Sequence, residues 1–143
     1  MFEPTHIPQD KLRAYLATNY RIGRGSECVV LRVGVRSDEL RALFAAHGVD
    51  SGAFLTACNP QGRLLAADAN ARAHAALHRL LLDRGLHAIE GEGSAEGADW
   101  PAEASWFALG LSLTEATEIG VHFNQDAIVW VAADAVPELI RLR

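Results

Sequence analysis

The chain predicts an α+β fold: a mixed β-sheet with helices packed mainly on one face. Three observations lead there. Apolar stretches of helical period alternate with short runs rich in β-formers. Two of those runs follow each other with no helix between them, which breaks strict βαβ alternation. Glycines and capping residues mark the ends of several elements. A doubly wound α/β sheet is the alternative that this order of elements allows.

The elements follow in order. Asp10 to Thr18 predicts a short helix, with Leu12, Tyr15 and Leu16 on one side. Arg21 to Ser26, RIGRGS, reads as a loop, and Cys28 to Val35, CVVLRVGV, as a strand. Ser37 is placed to cap the next helix, and Asp38 and Glu39 suit its first turn. Leu40, Leu43 and Phe44 form its apolar stripe and Gly48 ends it. Ala53 to Cys58 reads as a strand, followed by a type I turn over Asn59-Pro60-Gln61-Gly62.

Ala67 to Arg84 predicts the longest helix, stopped by Gly85. Leu86 to Glu92 and Glu103 to Leu111 are the two consecutive strands. Ser112 and Glu115 have the capping-box spacing, so a helix starts there, with Leu113, Ala116, Gly120 and Phe123 on one face. Gly120 inside this helix costs about 1 kcal/mol against alanine, and close packing against a sheet is one reason to tolerate it. Ala127 to Ala132, AIVWVA, is apolar on both faces and reads as a central strand. The tail from Val136 to Leu142 fits an edge strand or a last helix.

At 143 residues, half of them hydrophobic, the chain suits a single domain over 1–143 with one core. Residues 1–26 read as a helix and loop extension, 27–133 as the core and 134–143 as an edge strand or terminal helix. The net charge of -5 counts against a broad nucleic-acid face, which needs basic surface to neutralise phosphates. The first residues hold no apolar core of a secretory signal, and no apolar run reaches the ~18 residues that span a bilayer. Cys28 and Cys58 lie in apolar segments and read as buried free thiols. These features predict a cytoplasmic protein that binds neither nucleic acid nor membrane. They leave its oligomeric state open.

The candidate site rests on polar residues in apolar places. Asn70 shares a helical face with Ala66, Ala73, Leu77 and Leu81, so its amide needs partners, either backbone or side chains lining a cleft. Glu103 and Ser105 share a strand face with Phe107 and Leu109, as alternation requires. Asn59 and Gln125 sit at junctions of strand and helix, where polar groups gather around ligands.

Sharper chemistries find less support. His74 and His78 are four apart on one helix, but zinc needs a third ligand, and the HExxH pattern is absent. His87 or Glu90 joins them only through the fold. Ser105 lacks the flanking glycines of a nucleophile elbow, and His122 is its nearest candidate base. RIGRGSE precedes a strand instead of opening a helix, and GEGSAEG is acidic, so neither is a phosphate loop. No cofactor fingerprint is present. Glu103 near an arginine such as Arg72 makes a general base, a substrate clamp or a structural ion pair, although Arg72 falls on the solvent side of its helix.

These residues also carry a resemblance. NPQG, then Asn70 and Arg72, then GEG, WPAEAS, GLSLTEA and FNQDAI, between Val30 and Val131, make the chain similar to a bacterial family of unknown function, the one numbered 3293. The resemblance implies importance for Asn59, Pro60, Asn70, Arg72, Gly91, Gly93, Trp100, Glu103, Ser105, Gly110, Phe123 and Gln125, and it implies no activity. The chain departs from that pattern at the alanine-rich start of the long helix, which bears on the capping there.

The expectation is therefore one polar cleft formed by Asn59, Asn70, Arg72, Glu103, Ser105 and Gln125. The glycine-rich loop from Gly91 lids it, with Trp100 packing the lid down and Trp100-Pro101 as its hinge. Such a cleft suits a small polar molecule or a peptide segment. The alternatives are a small hydrolase or transferase using Glu103 as general base with Ser105 beside it, and a structural or interaction domain whose polar cluster only pins the loop.

Overall fold

The computed structural model describes residues 7, 9–23, 28–60, 63–94 and 102–142. In chain order its elements are α1 (Gln9–Ala17), β1 (Asn19–Ile22), β2 (Val29–Leu31), α2 (Asp38–His47), β3 (Gly52–Leu55), α3 (Ala67–Asp83), β4 (His87–Ser94), β5 (Glu103–Leu109), α4 (Leu113–His122), β6 (Ala127–Val131) and β7 (Pro137–Arg141). Among the described residues the strands form one sheet in the order β2-β1-β4-β5-β3-β6-β7.

The α+β class holds. The sheet, however, is antiparallel at every pairing, not mixed, and this also removes the doubly wound alternative. The physical reason lies in the strand order. β5 and β6 are joined through α4, yet β3 is inserted between them and pairs with both. A helical connection therefore never links hydrogen-bonded neighbours in parallel.

Strand alternation divides the core into two clusters. Phe54, Phe107, Leu109, Val129 and Val131 face one side, where Leu40 and Phe44 of α2 join Tyr20, Ile22 and Leu31. Ala53, Leu55, Ala108 and Ile128 face the other, covered by Leu77 and Leu81 of α3 and Ala116 and Ile119 of α4. The sheet curls, and its two edges approach each other. Gly34 N–H donates to the Pro137 carbonyl at 2.8 Å, and Ser37 N–H to the Ala135 carbonyl at 2.9 Å.

Several local signals work as expected. The Ser37 hydroxyl accepts from Leu40 N–H, and Gly48 closes α2 at φ 64°. Ser112 and Glu115 cap α4 reciprocally. Ala66, at the start of α3, makes no side-chain cap. A Cβ on Gly120 would stand 2.5 Å from Leu142 Cδ1 and 2.7 Å from Ile128 Cγ2, so the helix does meet the sheet closely there.

Other elements differ. Asn19–Ile22 is strand β1, held between β2 and β4, so the presumed loop at Arg21 and the N-terminal extension contribute to the sheet. Its alternation is plain in retrospect, with Tyr20 and Ile22 buried and Arg21 exposed. β2 stops at Leu31, ahead of a turn at Val33 and Gly34, where Gly34 has φ 82°. β6 lies second from one edge, not centrally, and the tail becomes the edge strand β7. At the NPQG turn, Arg63 N–H donates to the Pro60 carbonyl, while Gln61 and Gly62 lie outside the described residues.

The expected lid also changes. β4 runs through Gly91 and Gly93 to Ser94, so the first part of the glycine-rich stretch is strand paired on both sides. Residues 95–101, with Trp100 and Pro101, lie outside the described residues. No helix among the described residues is long and apolar enough to cross a membrane.

Candidate functional site

The chain leaves β3 along the edge of β5, where Thr56 Oγ1 donates to the Ala104 carbonyl at 2.9 Å. It then turns sharply at Asn59, which is buried with φ 48°. That left-handed conformation is one asparagine tolerates better than most residues. It directs the Asn59 amide between α3 and the start of β5.

Three segments meet there. Asn59 N–H donates to Asn70 Oδ1 at 2.9 Å, and Asn70 Nδ2 donates back to Asn59 Oδ1 at 2.9 Å. Leu65 N–H also donates to Asn59 Oδ1, at 2.9 Å. Asn59 Nδ2 donates to Glu103 Oε2 at 2.8 Å, which is a charge-assisted contact. Gln125 is joined through the backbone, its Nε2 donating to the Cys58 carbonyl at 3.2 Å.

The structure thus brings Asn59, Asn70 and Glu103 into direct contact and sets Gln125 one carbonyl away. Ser105 is buried two residues along β5, where its hydroxyl donates to the Glu103 carbonyl at 3.1 Å. Arg72 does not join. It is exposed and pairs with Asp68 one turn earlier on α3, at 3.4 Å. Arg72 stays on the solvent face of α3, where the helical wheel puts it, and makes no pair with Glu103.

His74 and His78 do point the same way, but onto an indole. Their rings lie nearly parallel to Trp106, with centroids 4.7 and 3.9 Å away. Trp106 Nε1 donates to the His74 carbonyl at 3.0 Å, and His74 Nε2 faces Glu90 Oε2 at 3.2 Å. Both imidazoles are thus engaged with one indole. Among the described residues no three His, Cys, Asp or Glu side chains are grouped to hold a metal ion.

Two neighbours of Glu103 escape a reading of the sequence alone. Burial pushes the Cys58 thiol above its ordinary value of 9.0; a hydrogen bond from Thr56 opposes this and the charge of Glu103 adds to it. Burial likewise raises the Tyr20 phenol, with Glu103 contributing in the same direction. Both groups therefore sit protonated beside the carboxylate. The signal for Tyr20 was the alternation in NYRI, hidden by the glycines that follow it.

The arrangement defines an α+β domain with a fixed amide–carboxylate network where β3, α3 and β5 meet. The model of the family described as Protein of unknown function (DUF3293) matches residues 55–128, just over half of the chain, and the chain belongs to that family. The matched span holds Asn59, Asn70, Glu103 and Gln125. No curated protein and no solved structure matches the chain.

Proposed function

We propose that this protein is a binding domain that reads a small polar molecule or a peptide segment at Glu103. One observation carries the reading. The half-buried carboxylate is held by Asn59, and Asn59 is itself held by Asn70 and Leu65, so an acceptor is fixed in place before any ligand arrives. Preorganised groups of this kind lower the ordering cost of binding. A carboxylate favours ligands with ammonium, guanidinium or amide donors.

Catalysis fits the neighbours less well. The Ser105 hydroxyl donates to a backbone carbonyl, and the Cys58 thiol is kept protonated, so neither is an activated nucleophile. A second reading has its own support. The two asparagines satisfy each other, which is what a cluster that only pins the Asn59–Leu65 segment to α3 would do.

The Glu103→Gln variant separates the two. Wild type and variant are compared by thermal denaturation and by a shift screen with free arginine, lysine, glutamine and short peptides. The binding reading expects a wild-type hit that is lost in the variant, with the two unliganded melting temperatures close. A large drop in melting temperature with no hit on wild type supports the pinning role instead. Turnover of any hit that disappears in the variant would restore the enzyme reading.

A further inference from the structure

α1 packs only loosely on the rest of the fold, with Leu12 and Tyr15 half-buried. None of its residues is buried, and Leu16 is 49 % exposed. Its Leu12 and Leu16 form one wall of an open groove of about 510 Å³, with Val33, Val136, Pro137 and Leu139 at the seam between the β2 and β7 edges opposite. The helix thus spans the seam without filling it. Ordinary packing energy for such a helix is small, because little apolar area leaves water.

Polar contacts tie it down at both ends. Lys11, the only lysine of the chain, donates its ammonium to Asp126, whose side chain is 1 % exposed. At the other end the Tyr20 hydroxyl donates to the Tyr15 carbonyl at 3.0 Å. Both anchors lead to the polar network. Asp126 follows Gln125, which holds the Cys58 carbonyl beside Asn59, and the Tyr20 phenol lies within the field of Glu103.

We propose that α1 is a detachable strap, latched by Lys11 on Asp126, and that its release loosens the Asn59 network through Gln125. A buried carboxylate makes a strong latch, since withdrawing Lys11 takes a charge partner from a poorly solvated group. A helix with so few apolar contacts opens at lower cost than the sheet beneath it. Opening uncovers the apolar groove along β7 and frees the segment that positions Gln125. This inference concerns the coupling inside the chain and holds whether or not Glu103 binds a ligand.

The test uses the full chain and two readouts. Mass mapping after brief treatment with an amine-acylating reagent reports Lys11, and amide hydrogen exchange reports α1, β5 and the Asn59 N–H. Asp126→Asn weakens the latch. Ala14→Pro breaks the helix at an exposed position, which guards against a failure of the first variant to fold. In wild type, α1 amides exchange roughly a hundredfold faster than those of β5, while Lys11 is protected against the reagent relative to a free lysine. In either folded variant, Lys11 labelling rises by roughly tenfold and the Asn59 amide loses protection, with β5 unchanged. Exchange of α1 and β5 as one cooperative unit overturns the proposal. So does an Asn59 amide that stays protected when α1 is released.

Discussion

Asn59 and Asn70 hold each other by two reciprocal hydrogen bonds of 2.9 Å, one from a backbone N–H and one from a side-chain amide. They lie eleven residues apart, on opposite sides of the turn that leads into α3. α3 begins without a side-chain cap at Ala66, so this pair fixes the segment that delivers its first turn.

Removing that pair is expected to cost stability. Asn70→Ala leaves the Asn59 N–H without its side-chain acceptor, at about 2–3 kcal/mol. For a chain of this size that lowers the melting temperature by roughly 5–10 °C. Asn70→Asp is expected to be no milder, because an oxygen then faces Asn59 Oδ1 where an N–H had donated. Thermal denaturation of the two variants checks both.

The two glycines of β4 should behave oppositely. A Cβ on Gly91 would lie 2.0 Å from the Arg21 carbonyl oxygen, so Gly91→Ala must push β1 away from β4. The expected loss is about 3 kcal/mol or more, in the range of backbone clashes. At Gly93 the nearest atoms are 3.5 Å away, an ordinary contact, so Gly93→Ala is expected to be within about 1 kcal/mol of wild type. Denaturant unfolding of the pair separates a steric requirement from mere glycine flexibility.

Alkaline pH should weaken the fold. Tyr20 and Cys58 both keep their protons more tightly when folded, chiefly because burial disfavours the anion. The unfolded chain releases protons from ordinary values of 9.0 for the thiol and 10.0 for the phenol. Above those values the unfolded state binds fewer protons than the folded one, so stability falls as pH rises. The contribution of these groups is intact below pH 9.0 and declines beyond it. Melting temperature against pH measures this, and Tyr20→Phe flattens the steeper part of the decline.

The same protonation makes Cys58 a slow thiol. It is buried, and its Sγ lies 3.5 Å from the Ala104 carbonyl. Alkylation of the native protein at neutral pH is expected to modify the half-buried Cys28 first and Cys58 only on unfolding. Mass mapping of iodoacetamide-treated protein gives the order.

Ser112→Ala removes the side-chain half of the capping box at α4 and leaves the Ser112 N–H its Glu115 acceptor. The expected cost is about 1 kcal/mol. A drop several times larger would mean that Ser112 does more than cap.

Much of the architecture was legible in the chain because its signals are local. The caps at Ser37 and Ser112, the stop at Gly48 and the alternation in β5 each rest on residues within one or two turns of one another. The polar positions Asn59, Asn70, Glu103 and Gln125 were legible for a related reason, since polar residues interrupting an apolar pattern need partners wherever they end up. Strand β1 was obscured because four residues of alternation give a weak signal beside two glycines.

What the tertiary structure alone decided is which distant groups meet. Insertion of β3 between β5 and β6 made the sheet antiparallel throughout, and no periodicity within a segment encodes the neighbour of a strand. It paired Asn59 with Asn70 and Glu103, left Arg72 to Asp68, and drew His74 and His78 onto Trp106. Sequence determined the elements and the need of each buried polar group for a partner. The identity of that partner depends on long-range packing, which the burial of both sheet faces selects for the chain as a whole.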